Sequence, residues 1–296
     1  MRCCQNATRT AVRVPDEGGL LDRRGSGREA LCERRHHRAR AGRASKCDGA
    51  GRPDHTRHAR TDRPLPWEGR NRAEELTSLL QPKTSDHLLD IGCGIGGPAR
   101  WIAAKYGCRV TGVDLTPEFC EAARELNTLT GLSDCVQILH AGALSLPGPD
   151  NSFDGAYSQA ALMNISDKRG VFREVFRVLR SSGLLALSLV GAGTAGEPHY
   201  PLPWAIATAI SFLATPAEVQ RDLLAVGFQI VFVRDTSAEL AAALAPVLNQ
   251  LETEGLPPLG EHVVTGENAG EWRINWARSM IEGRLSMIET LVRKPA

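Results

Sequence analysis

Across its 296 residues the chain has no run of 18 or more apolar residues, so no stretch is expected to cross a bilayer as a helix. The longest apolar segments, 184–192 and 205–214, are too short for that. It also has no apolar leader that would point to an oxidising compartment, and at this length a core can form without disulfide staples. The eight cysteines are therefore read as thiols in a reducing cytoplasm. Residues Cys32, His36, His37, Cys47, His55 and His58 lack the short paired spacings that metal sites use, so no metal is expected. Aromatics are absent from residues 1–65, which carry sixteen Lys and Arg against eight Asp and Glu. So little apolar surface cannot offset the entropy of ordering a chain. That segment reads as a disordered basic tail, and residues 66–296 as the folded domain. A cationic arm could contact phosphate, but without interleaved aromatics it offers no platform for bases, so a nucleic-acid partner is disfavoured.

Beyond Pro64 short apolar runs alternate with longer stretches of helical period, the pattern of strands and crossover helices in a parallel sheet. Strands are expected over 87–91, 109–114, 136–140, 155–158, 184–190, 228–233 and 285–292. Helices are expected over 68–80, 99–105, 117–130 and 168–179, the last three closed by Gly107, Gly131 and Gly183. A further helix opens at Thr215, with Pro216 in its first position, and 237–282 is mostly helical. Residues 191–204 are rich in Gly and Pro and read as a long loop. The expected fold is α/β: a Rossmann-like, doubly wound sheet of seven mostly parallel strands.

Between the first strand and the helix that follows lies Asp90-Ile-Gly-Cys-Gly-Ile-Gly-Gly97. Gly92, Gly94 and Gly97 satisfy G-x-G-x-x-G, which fits a dinucleotide as well as other nucleoside ligands. Asp90 discriminates between them. A carboxylate at this strand end would face the pyrophosphate of a dinucleotide and be repelled by it. The ammonium and sulfonium of S-adenosylmethionine (SAM) suit it instead. Asp114, closing the second strand, can accept hydrogen bonds from ribose hydroxyls; it could also serve as a turn or cap residue for the next helix.

These segments, with 153–158 and Arg177-Val-Leu-Arg180, resemble class I SAM-dependent methyltransferases of the type 11 group. The run Gly94-Ile-Gly-Gly-Pro-Ala-Arg100, with 162–165 and 201–204, is similar to sarcosine/dimethylglycine N-methyltransferases, and also to sterol and quinone C-methyltransferases. The resemblance spans about 67–296. It implies that Asp90, Gly92 and Gly94 hold the methionine end of SAM, with Cys93 and Gly97 in the same cofactor site, and that Asp114 binds its ribose. Leu115, Ala143 and Leu144 would flank the adenine, with Gln159 near the methionyl group. It further implies a small-molecule methyl acceptor, a glycine-derived amine favoured over a quinone- or sterol-like carbon, bound near Asn164, His199, Tyr200 and Trp204. Two positions depart from the family pattern: Gly142 stands where an Asp is usual, and Ala160 where relatives often have His.

Methyl transfer from a sulfonium needs alignment more than a dedicated catalytic residue, and no catalytic residue is assigned. His199 and His262 are the candidates should an amine have to lose a proton before attack. Trp272 and Trp276, one helical turn apart, read as core. An NAD-dependent oxidoreductase and a non-catalytic SAM-binding protein stand as the alternatives.

Overall fold

The computed structural model describes residues 70–256 and 268–296. The basic segment 1–65, with its cysteines and histidines, and His262 lie outside the described residues. Helix α1 (Arg70–Leu80) leads into β1 (His87–Ile91), α2 (Gly97–Tyr106), β2 (Arg109–Asp114), α3 (Pro117–Leu129), β3 (Val136–His140) and β4 (Phe153–Gln159). There follow α4 (Lys168–Val178), β5 (Leu179–Ala192), α5 (Pro216–Val226), β6 (Gln229–Asp235), α6 (Ser237–Glu254), α7 (Ala269–Ile281) and β7 (Leu285–Arg293).

The sheet order is β3-β2-β1-β4-β5-β7-β6. Strands β1 to β5 pair in parallel, and β7 runs antiparallel between β5 and β6. The chain winds outward from β1 to β3 and then returns to place β4 on the other side of β1. That reversal opens a crevice at the carboxyl ends of β1 and β4, the place where sheets of this kind take ligands. Both faces of the sheet are covered. Leu76, Ala99, Ile102 and Cys120 bury α1, α2 and α3 on one face; Val171, Phe172 and Val175 of α4 and Val219 and Leu223 of α5 bury the other. A third cluster, under the end of the sheet carrying β5 and β7, joins Leu240 and Leu244 of α6 to Trp276 and Met280 of α7. Trp276 is core, as its spacing suggested.

Local chemistry sets several boundaries. Gly107 closes α2 in the left-handed region with φ of 71°, its amide donating to the Ala103 carbonyl. Thr215 caps α5 through a reciprocal pair with Glu218: its hydroxyl accepts from the Glu218 amide, and its own amide donates to that carboxylate. One expectation fails. Gly183 does not close α4, which passes at Leu179 straight into β5. Gly183 lies inside that strand, where a side chain would meet the Arg180 carbonyl at 2.8 Å. Its small size answers a close backbone approach, not a helix end.

Candidate active site

Register puts the chemistry on one face. Asp90 of β1 is paired with Gly112 of β2 and Tyr157 of β4. Because side chains alternate along a strand, Asp114 and Gln159, two residues further on, share that face at the carboxyl ends. Asp90 is 2% exposed, and its Oδ2 has no hydrogen-bond partner among the described residues. Neither does Gln159 Oε1. Burial, reinforced by the charge of Asp114 and opposed by the neighbouring Tyr157 hydroxyl, pushes the Asp90 carboxyl up to about 7. A buried acceptor left unsatisfied costs about 1 to 3 kcal/mol. A ligand ammonium would relieve that cost; a phosphate would worsen it.

The loop over this acid is shaped by its glycines. The amides of Gly92 and Cys93 both donate to the Val113 carbonyl, at 2.9 and 3.0 Å, so the chain turns back across the end of β2. Gly92 has φ of +74° and presses on Ala161, whose Cβ would lie 2.3 Å from any Cβ placed there. At Gly94, φ is +53° and an added Cβ would meet nothing within 4 Å, which leaves open space beside the bare backbone. Gly97 likewise borders open space. The third glycine that the backbone requires is Gly96, not Gly97: it caps α2 with φ of +74°. Pro98, the second residue of α2, sits in the first turn, where its missing N–H goes unneeded. Cys93 turns inward, its sulfur beneath Gly112 and its thiol pushed up by burial, so it offers the crevice only backbone.

Asp114 is held at the turn by both of its carboxylate oxygens. One carboxylate oxygen accepts the Thr116 amide at 3.0 Å, making a turn before α3, and the other accepts the Gly94 amide at 2.8 Å. Each oxygen keeps a further lone pair. Beside it, the Ala141 amide donates to the Asp114 carbonyl and His140 Nε2 lies 3.0 Å from the Leu115 carbonyl. A Cβ on Gly142 would contact Leu115 at 3.7 Å. Leu115 and Leu144 are 73% and 52% exposed, leaving apolar surface open next to Asp114 in the case of Leu115. The segment carrying Ala143 and Leu144 is held by Arg177 of the Arg-Val-Leu-Arg run, which donates to the carbonyls of Leu146 and Gly148 and to Glu174 and Asp150.

The structure brings together Asp90, Gly92, Gly94 and Asp114, sets Leu115 beside Gly142, and leaves Gln159 at the end of the same face. The remaining candidates are held differently. Asn164 is exposed on a short turn after β4. His199 is held against α7: its amide donates to Ser279 Oγ and its ring Nε2 lies 2.8 Å from Glu282. Tyr200 and Trp204 pack on the α6–α7 cluster, and the Trp204 indole donates to Ser211. Sequence reading did not single out Ala161, which abuts Gly92, or Lys168 and Phe212, which are tied to the turn after β4, or the exposed Ile206 and Ile210. No group of three or more metal-ligating side chains occurs among the described residues, and no described helix is long and apolar enough to cross a membrane.

A methyltransferase domain family matches residues 89–187, from β1 to β5. Methyltransferase GfsG of Streptomyces halstedii is 32% identical over 215 residues, covering 68% of this chain and 73% of its own. The 24-methylenesterol C-methyltransferase 2 of Oryza sativa subsp. japonica is 42% identical over 111 residues. That match covers 38% of this chain and 31% of the rice protein. Sarcosine/dimethylglycine N-methyltransferases are also among the relatives. Among solved structures, Haemonchus contortus phosphoethanolamine N-methyltransferase 2 in complex with SAM superposes with a TM-score of 0.61 at 22% identity. It covers 76% of this chain and 53% of that one. A buried acid at the end of β1, a second carboxylate at the end of β2 and a glycine-bared loop between them are compatible with SAM, and with these relatives the chain belongs to the SAM-dependent methyltransferase family.

Proposed function

We propose that this enzyme methylates a small acceptor with an apolar body, of sterol- or quinone-like chemistry, in preference to a glycine-derived amine. The observation that carries this reading is the apolar surface of the loop between β5 and α5. That loop leaves the sheet at Ala192 and returns at Ala214, where the Ala192 amide donates to the Ala214 carbonyl. Between them Ile206, Ile210 and Phe212 are 69%, 49% and 37% exposed. The Phe212 amide donates to the Met163 carbonyl at 2.8 Å, two residues beyond the Ala161 that abuts Gly92. The apolar residues thus lie on a segment joined to the edge of the cofactor crevice. Exposed apolar groups on such a segment suit an apolar guest better than a zwitterion.

In this reading residues 66–296 form the methyltransferase domain of a cytoplasmic enzyme. Asp90, Gly92, Cys93, Gly94 and Gly97 take the methionine end of SAM, Asp114 its ribose, and Leu115, Ala143 and Leu144 its adenine. Gln159 adds an acceptor for the methionyl ammonium. SAM, when bound, supplies a methyl group on an already activated sulfonium. The protein's share is to fix the nucleophile in line and keep water away. Asn164 and the loop from His199 to Phe212 hold the acceptor, with Tyr200 and Trp204 as the packed base of that loop. The His199–Glu282 pair favours a second reading, N-methylation, since a carboxylate-oriented imidazole can accept a proton from an amine.

The test is transfer of labelled methyl from SAM. Counts passing into an organic extract with sterol or quinone acceptors, and none with sarcosine, support the first reading; the reverse, abolished by His199→Asn, supports the second. SAM binding without transfer to either would leave a non-catalytic SAM-binding protein.

A further inference from the structure

We infer that Lys168 is the positioning residue of the acceptor side, joining the turn after β4 and the loop before α5 into one wall. This rests on the methyltransferase reading above. Lys168 is the first residue of α4 and is only 8% exposed. Both facts count against a cation, because a helix N-terminus repels positive charge and lysine is seldom buried. Its ammonium donates to the Ile165 carbonyl at 2.9 Å and to the Phe212 carbonyl, 44 residues further along the chain. Phe212 is therefore gripped twice by the same segment, through its amide at Met163 and through its carbonyl at Lys168.

The groups facing the ammonium from α5 are Glu218 and Asp222, whose charges favour the protonated form, while burial, the larger effect, lowers its affinity for the proton. Asp222 is itself engaged with Arg169 at 2.7 Å. Both carbonyls that the ammonium holds, Ile165 and Phe212, lie on the acceptor side. An apolar residue would fill the space at less desolvation cost. What it could not supply is a donor for two carbonyls on separate segments. The wall so joined runs from Ala161, against Gly92, through Asn164 to Ile206, Ile210 and Phe212.

Full-length protein carrying Lys168→Met keeps the stem and removes the ammonium; Lys168→Arg restores a donor. Calorimetry with S-adenosylhomocysteine and hydrogen exchange read by mass spectrometry separate the two sides. For Lys168→Met we expect ligand affinity within twofold of wild type. Exchange should be at least tenfold faster in peptides covering 161–166 and 206–214, with none of that gain over 87–97, and protection should recover in Lys168→Arg. Unchanged exchange in the two segments would overturn the inference. So would faster exchange across 87–97, failure of Lys168→Met to fold, or no recovery in Lys168→Arg. Wild-type protein that does not bind S-adenosylhomocysteine would instead refute the cofactor reading, while the exchange comparison still judges the clamp.

Discussion

The two sides of the crevice are built by different means. At β1 and β2 the shape comes from neighbours in sequence: glycines at positive φ, a buried acid at a strand end, and a second acid that ties the turn 20 residues away. At β5 the shape comes from distant residues, with Lys168 reaching Phe212, Ser279 reaching His199 and Asn275 reaching Pro201. The first side can change only by breaking backbone requirements. The second can change its exposed side chains while its main-chain anchors stay, which is how one scaffold comes to serve many acceptors.

Substitutions on the two sides should therefore fail in different ways. The largest effect is expected at Asp90. Asp90→Asn should weaken SAM binding at least a hundredfold by calorimetry. It should also raise the melting temperature of the ligand-free protein at pH 8, because the carboxyl is held near 7 by burial. For an acid whose folded pKa lies above its unfolded value, stability is greatest when the group is protonated. It falls as pH rises from about 4 to about 7, by a few kcal/mol for such a shift. The variant should lack that slope; if it keeps it, Asp90 is not the group responsible.

Next come the glycines. Gly92→Ala meets Ala161 at 2.3 Å and should cost about 3 kcal/mol or more in urea unfolding, through overpacking added to backbone strain. Gly94→Ala meets nothing, so it should cost only the left-handed strain of about 1 to 2 kcal/mol, yet weaken SAM at least tenfold by filling the space the ligand needs. Equal effects of the two on stability would remove the distinction between a packed and a bared glycine.

On the acceptor side, Ile206→Ser with Ile210→Ser should leave SAM affinity within twofold and raise KM for an apolar acceptor about tenfold. Loss of SAM affinity would show that the two sides are not separable. The smallest effect belongs to Thr215→Ala, which removes the cap of α5 and should cost about 1 kcal/mol in stability with transfer kinetics unchanged.

The same contrast explains what could be read from sequence. The Asp90 to Gly97 run, Asp114 and the strand and helix periods are local, so the sheet, its winding and the nature of the cofactor were legible. Gly183 was misread because the reason for a glycine there is the Arg180 carbonyl inside a strand. The positive φ that makes Gly96 the cap of α2 was not legible, because two adjacent glycines look alike until φ is known. Lys168 gave no signal at all. A lysine at a helix start reads as solvated, and nothing near it in sequence reveals a partner 44 residues away.

The most direct test of the charge complementarity at the crevice is calorimetric titration of the wild-type protein with SAM between pH 5.5 and 7.5, with NADH as control. Affinity for SAM should rise with pH as Asp90 ionises, approaching tenfold per unit at the acid end and levelling near pH 7, while NADH does not bind. A flat or falling SAM profile, or binding of NADH, would contradict the claim that a buried carboxylate selects the cationic cofactor.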